Sequence, residues 1–133
     1  MTSAGDGMLR VLVVDDNHDA ADTLAMLLEM MGHDVKTAND GLEAIKVAKS
    51  ELPQVVLLDI GMPGMNGYDV ARKLREQPET RGVVLVAMTG WGQDEDRARS
   101  KEAGFDHHLV KPVEPSVLST LLAQLAASAA PPS

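Results

Sequence analysis

The chain has 133 residues, 44% of them hydrophobic, with 20 acidic against 12 basic side chains and a formal net charge of −8. That length suits one domain with an unstapled core. The lack of cysteine excludes disulfides and thiolate metal sites, and the acidity argues against direct binding to a nucleic-acid backbone. No apolar run approaches the roughly 20 residues that cross a bilayer. The opening MTSAGDGM lacks the basic start and apolar stretch of a signal peptide. A cytoplasmic protein without membrane insertion is therefore expected.

Strand-like and helix-like segments alternate. Leu9 to Val14 is a short continuous apolar run, the pattern of a strand buried on both faces. A helix follows from about Asp19 to Met31, with Ala21, Leu24, Leu28 and Met31 on one side and Gly32 as its stop. Val35 to Thr37 reads as a second short strand. Asn39-Asp40-Gly41 turns the chain, and Asp40 with Glu43 forms a capping-box pattern opening a helix that carries Leu42, Ile45 and Ala48. Pro53 precedes a third strand, Val55 to Leu58. A loop rich in turn residues, Gly61 to Gly67, leads into a helix ending near Glu76 with Val70, Ala71 and Leu74 inward. Val83 to Met88 is the fourth strand. A very polar helix is expected over Gln93 to Ala103, then a fifth strand over His107 to Val110. The last helix starts near Pro115, a favoured first-turn residue, and carries Leu118, Leu121, Leu122 and Leu125. Residues 1–8 are expected to be flexible, 9–127 to form the domain, and 128–133 to be an Ala/Pro-rich tail, with fraying from Ala126 onward.

Five strands alternating with five helices imply an α/β domain, a doubly wound parallel sheet covered on both faces. The flavodoxin-like strand order 2-1-3-4-5 is the natural arrangement, with ligands outside the carboxyl ends of the strands. Asp15 and Asp16, Asp59, Thr89 and Lys111 each end or follow one of the apolar runs, so distant segments should converge on one pocket.

Three carboxylates gathered there repel one another by about 4 kcal/mol per pair at ~4 Å and an effective dielectric of ~20. A hard cation offsets this, and oxygen ligands without Cys or His point to Mg²⁺, with Mn²⁺ as the alternative. Asp16 and Asp59 are read as direct ligands, Asp15 as acting through a water, and the Gly61 backbone carbonyl as a third protein ligand. A carboxylate can also act as a nucleophile and form an acyl phosphate. Lys111 then suits one phosphoryl oxygen and the Thr89 hydroxyl another, while Gly90 leaves room for entry.

The motifs VLVVDDN, VVLLDIGMPGMNGYD, VAMTG and HHLVKP together resemble the receiver domain of bacterial two-component response regulators over residues 9 to 127. The resemblance implies that Asp59 is the phosphoacceptor, Asp15 and Asp16 the acidic pair, Thr89 the switch hydroxyl and Lys111 the phosphate-binding lysine. It implies a cis bond before Pro112, and as partners a histidine kinase or histidine phosphotransfer protein and a downstream protein or attached output domain. The segment from Gly90 to Pro112 is most similar to receivers of hybrid histidine kinases or chemotaxis methylesterases. The family's rotating Tyr or Phe, three residues before the lysine, is His108 here. Gly61 and Trp91, each two residues beyond a site residue, flank the phosphate entrance with Gly90.

Simpler readings stand beside these. The acids could be strand-end caps, Lys111 a surface ion pair and Thr89 a turn hydroxyl. Together the five residues favour the shared site. His107 and His108 point to opposite faces of a strand and do not suit one metal. His18 reads as an ordinary first-turn residue. A phosphohydrolase with an aspartyl-phosphate intermediate is the alternative from another class, but it wants an acid where Gly61 stands. A receiver-like interaction module that is never phosphorylated is the other alternative. The polar helix near 93–103, the fifth strand and the last helix are expected to form the signalling face.

Overall fold

The computed structural model describes residues 8–62, 64–90 and 101–129. In chain order it contains β1 (Arg10–Val14), α1 (His18–Met30), β2 (Asp34–Ala38), α2 (Gly41–Glu51), β3 (Val55–Asp59), α3 (Gly67–Glu76), β4 (Val84–Thr89), β5 (His107–Val110) and a C-terminal helix, α4 (Pro115–Ala129). The helix expected over 93–103 lies outside the described residues except at 101–103, which are helical. No described helix is long and apolar enough to cross a membrane.

The strands form one parallel sheet in the order β2-β1-β3-β4-β5, as the alternating pattern implied. Successive side chains along a strand point to opposite faces, so a continuous apolar run feeds two cores. Leu12, Val14, Val56, Leu58, Leu85 and Ala87 pack with Ala44 and Ala48 of α2 and Val70, Ala71 and Leu74 of α3. Val11, Val13, Val55, Leu57, Val86 and Met88 pack on the other face with Ala21 and Leu28 of α1 and Leu118 and Leu122 of α4. Each fully buried leucine contributes roughly 2 kcal/mol by removal from water. With aromatics scarce, Tyr68 and Phe105 still meet edge to face, their centroids 6.4 Å apart.

Helix boundaries follow local hydrogen bonding. Asn17 caps α1 by accepting the Ala20 N–H at 3.1 Å, which starts the helix one residue before the sequence suggested. Gly32, at φ +95°, ends it. Asp40 accepts the Glu43 N–H at 2.8 Å, and Glu43 accepts the Asn39 N–H at 2.7 Å. The capping box is thus present with its return bond one residue upstream of the cap.

The inward face of α2 differs from the expectation. Gly41, Ala44 and Ala48 are buried, whereas Leu42 is 67% exposed. The reason lies in α3: a Cβ at Gly41 would sit 2.9 Å from Val70 Cγ2, so α2 approaches there through its smallest residue and Leu42 turns outward. The C-terminal helix also continues to Ala129, beyond the expected fraying at Ala126. Its alanine-rich end is a strong helix former, and residues 130–133 lie outside the described set.

Two predictions arise from the scaffold. Leu9 N–H donates to His33 Nδ1 at 3.1 Å, tying the start of β1 to the turn after α1. Burial lowers the His33 pKa below its ordinary value. The folded state therefore favours the neutral ring, and this contribution is present above the unfolded value of about 6.5 and lost as pH falls through the folded one. The stability advantage of wild type over His33→Ala, on the order of 1 kcal/mol in urea unfolding at pH 7.5, should shrink steadily towards pH 5. An advantage that stays constant with pH would refute this.

The second concerns Gly67. A Cβ there would lie 2.7 Å from Ile60 Cα and 2.8 Å from the Asp59 carbonyl oxygen. Backbone cannot yield as a flexible side chain can, so Gly67→Ala should cost about 1–3 kcal/mol in denaturant unfolding.

Candidate functional site at the carboxyl edge of the sheet

The parallel register carries the polar residues to one edge. Val14 pairs with Leu58, Asp59 with Met88, and Thr89 with Val110, so Asp15, Asp59, Thr89 and Lys111 emerge side by side where β1 and β3 part. Asp15, Asp59 and Thr89 are 3%, 8% and 5% exposed, while Asp16 stands at the open rim. Asp15, Asp16 and Asp59 each offer a carboxylate oxygen, and these atoms lie within 4.8 Å of one another.

Lys111 joins two of these acids. Its Nζ donates to Asp15 Oδ2 at 2.9 Å and lies 3.3 Å from Asp59 Oδ2. The Lys111-Pro112 peptide is cis, as the resemblance implied. Backbone donors complete the cradle: Gly61 N–H donates to Asp59 Oδ1 and Asn17 N–H to Asp15 Oδ1, both at 3.0 Å. The Asn39 side chain donates to the Asp15 carbonyl at 3.0 Å, fixing the end of β1.

Burial raises the Asp59 pKa, and the charge of Asp15 adds to it; the Gly61 N–H and Lys111 oppose both without cancelling them. Burial acts against the Lys111 ammonium as well. The hydrogen bond to Asp15 and the charges of Asp59 and Asp15 outweigh it, and its pKa is raised. The pocket thus disfavours the charged form of Asp59 and favours the charged form of Lys111. The clustered oxygens and the lack of nitrogen or sulfur among them fit a hard divalent cation.

Thr89 Oγ1 and His108 Nε2 are hydrogen-bonded at 3.0 Å, so the hydroxyl is engaged on the β5 side. Its strand is further tied to β5 by Lys111 N–H, which donates to the Thr89 carbonyl at 2.6 Å. Gly90 is exposed, and among the described residues nothing lies within 4 Å of a Cβ built there. His107 is exposed and His18 lies on the surface at the start of α1. Trp91 falls outside the described residues.

Residues 11–123 match the family model for the response regulator receiver domain. The chain belongs to the response-regulator receiver family. This receiver domain is 38% identical over 120 residues to protein PilH of Pseudomonas aeruginosa, an alignment covering 90% of this chain and 99% of PilH. Among solved structures it is similar to chemotaxis protein CheY4 of Vibrio cholerae, with 30% identity, a TM-score of 0.84, and 89% of this chain and 98% of that one covered. The receiver domain of sensor histidine kinase PA1611 from P. aeruginosa, solved with magnesium coordinated in its active site cleft, gives 27% identity and a TM-score of 0.82 over 90% of this chain and 98% of that one. The receiver is a phosphoacceptor signalling domain of two-component systems rather than a metabolic enzyme.

Sequence reasoning missed three contributors to this receiver's site. Asn17 was visible only as part of VLVVDDN, Asn39 only as a turn residue, and Gly61 was read for its carbonyl rather than its N–H. For Asn17 the available signal was an N-cap residue placed directly after two acids.

Proposed function

We propose that this receiver accepts a phosphoryl group on Asp59 from the phosphohistidine of a histidine kinase or phosphotransfer protein. The observation that carries the reading is the placement of Lys111 Nζ 2.9 Å from Asp15 and 3.3 Å from Asp59 within the three-carboxylate cluster. An Asp59 oxygen attacks phosphorus, the phosphorus–nitrogen bond breaks, and its electron pair leaves with the donor imidazole. Lys111 stabilises charge on one equatorial oxygen, and the Thr89 hydroxyl serves another. Gly61 N–H orients Asp59 Oδ1, leaving the other oxygen for attack.

The proposed cation is Mg²⁺, held by Asp16, Asp59 and the Gly61 carbonyl directly and by Asp15 through water, with Mn²⁺ as a substitute. The donor chemistry of the cluster and the magnesium in the PA1611 receiver support this assignment. When bound, it supplies positive charge to offset the carboxylates and the incoming phosphoryl oxygens. Autophosphorylation from small donors and slow self-dephosphorylation belong to the same proposal. So does signalling through β5, α4 and the helix read over 93–103. A phosphohydrolase is disfavoured because Gly61 supplies no acid beside Asp59, and a silent interaction module is disfavoured by the complete site.

Incubation with acetyl phosphate and Mg²⁺ should give one acid-stable, hydroxylamine-labile phosphoryl group per chain, and prior chelation with EDTA should prevent its formation. Label that resists hydroxylamine, or that forms equally well in EDTA, would overturn the reading.

A further inference from the structure

We infer that the outer edge of β2, with the groove beside it, is a docking site for an extended basic segment of a partner protein, which adds to the sheet as a further strand. β2 stands at one end of the strand order, with β1 on its inner side. Along a strand in a parallel sheet, successive residues turn their backbone groups to alternate sides, and two bonds fix the phase here. Asp34 N–H donates to the Leu9 carbonyl at 3.0 Å, and the Ala38 carbonyl accepts from Asp15 N–H at 3.1 Å. Asp34, Lys36 and Ala38 therefore turn their N–H and C=O groups to β1. Val35 and Thr37, in between, turn theirs outward. Among the described residues no strand pairs with them on that side. Such an edge is a template for strand addition, in which backbone hydrogen bonds supply affinity and the neighbouring side chains supply choice.

The surroundings decide which segment fits. A groove of about 670 Å³ lies along this edge, with Val35 and Thr37 lining it from the strand. Ala25 and Met26 of α1 and Val47 of α2 give it apolar walls. Met26 is 63% exposed, and an uncovered methionine is an adaptable contact for an apolar side chain. Asp22, Glu29 and Glu51 add three negative charges to the groove against the single positive charge of Lys36. A lysine on an edge strand discourages indiscriminate pairing, and the acids around it reverse the balance for a cationic strand alone. A second copy of this chain would bring the same acids to the same place, so charge opposes self-pairing through this edge. None of Asp15, Asp16, Asp59, Thr89 and Lys111 lines the groove, so a segment docked there leaves the carboxylate site open.

The probe is a synthetic peptide of about seven residues, alternating lysine and valine, titrated into the full chain at low ionic strength and followed by backbone-amide NMR. Two control peptides accompany it: one with glutamate in place of lysine, and the lysine peptide N-methylated at every backbone amide. The lysine peptide is expected to shift the Val35 and Thr37 amide signals and to slow their hydrogen exchange. N-methylation should weaken binding about tenfold or more, since it removes the backbone donors and keeps the charge. Thr37→Pro removes an outward N–H but no bond to β1, and should weaken binding about three- to tenfold. Should that variant not fold, Glu29→Lys with Glu51→Lys reverses two exposed charges near helix C-termini and should weaken binding about tenfold. Equal binding of the N-methylated peptide, or shifts spread over the acidic surface without Val35 and Thr37, would mean charge attraction alone and overturn strand addition. Equal binding of the glutamate peptide would overturn the basic partner, and no binding of the lysine peptide would overturn the site. Self-association of the chain in sedimentation, abolished by Thr37→Pro, would seat a second copy on the edge and overturn the assigned occupant.

Discussion

Asp59→Asn should abolish phosphoryl incorporation from acetyl phosphate and, in metal-free buffer, make the domain more stable. The first effect follows because an amide oxygen is a far weaker nucleophile than a carboxylate and carries no charge for a cation to organise. Labelling should fall by at least about two orders of magnitude, and mass spectrometry of hydroxylamine-treated wild type should place the modification at Asp59. The second effect follows from the raised Asp59 pKa, caused first by burial and then by the charge of Asp15. A carboxyl whose folded pKa exceeds its unfolded one weakens the fold above the folded value and is harmless below the unfolded value. Asparagine removes that cost, keeps an oxygen for the Gly61 N–H, and leaves Lys111 paired with Asp15. The thermal midpoint should rise by a few degrees at pH 7.5 in EDTA, and the gain should vanish as pH falls through the carboxylate range. Mg²⁺ should stabilise wild type more than the variant. A variant that is labelled as wild type is labelled would move the acceptor elsewhere.

Lys111→Ala should have opposite effects on the two ligands of the site. Phosphoryl uptake should fall about 100-fold, the usual result of removing one fixed donor from a site of developing negative charge. Divalent-cation affinity should rise, by about tenfold at low ionic strength, because Lys111 and a cation compete for Asp15 and Asp59. In metal-free buffer the variant should be less stable, since two buried carboxylates then lack their counter-charge. The sign with pH is fixed by the raised Lys111 pKa, which hydrogen bonding to Asp15 and the two carboxylate charges produce against the opposing effect of burial. Its contribution is complete below the ordinary lysine value and is lost only as pH rises through the folded one, so the difference should persist across the neutral range. Calorimetric titration with Mg²⁺ and acetyl phosphate labelling would check the pair of effects, and parallel losses of both would contradict the competition.

The amino-acid sequence by itself determined the sheet and the gathering of the site. The apolar runs of β1, β3 and β4, each ending in or followed by an acid or a hydroxyl, specify buried parallel strands, and the half-exposed HHLV strand brings Lys111 to the same edge. Asp15, Asp59, Thr89 and Lys111 were legible for that reason. The same local logic failed at Leu42, since the face that α2 buries depends on how closely Gly41 lets it approach Val70 and Met65. Tertiary structure alone decided the hydrogen bonds that tune the site. Lys111 reaches Asp15 across 96 residues, Asn39 reaches the Asp15 carbonyl across 24, and Thr89 meets His108 across 19. Such bonds depend on strand register and on side-chain directions accurate to fractions of an ångström, and periodicity in a sequence carries no information on that scale.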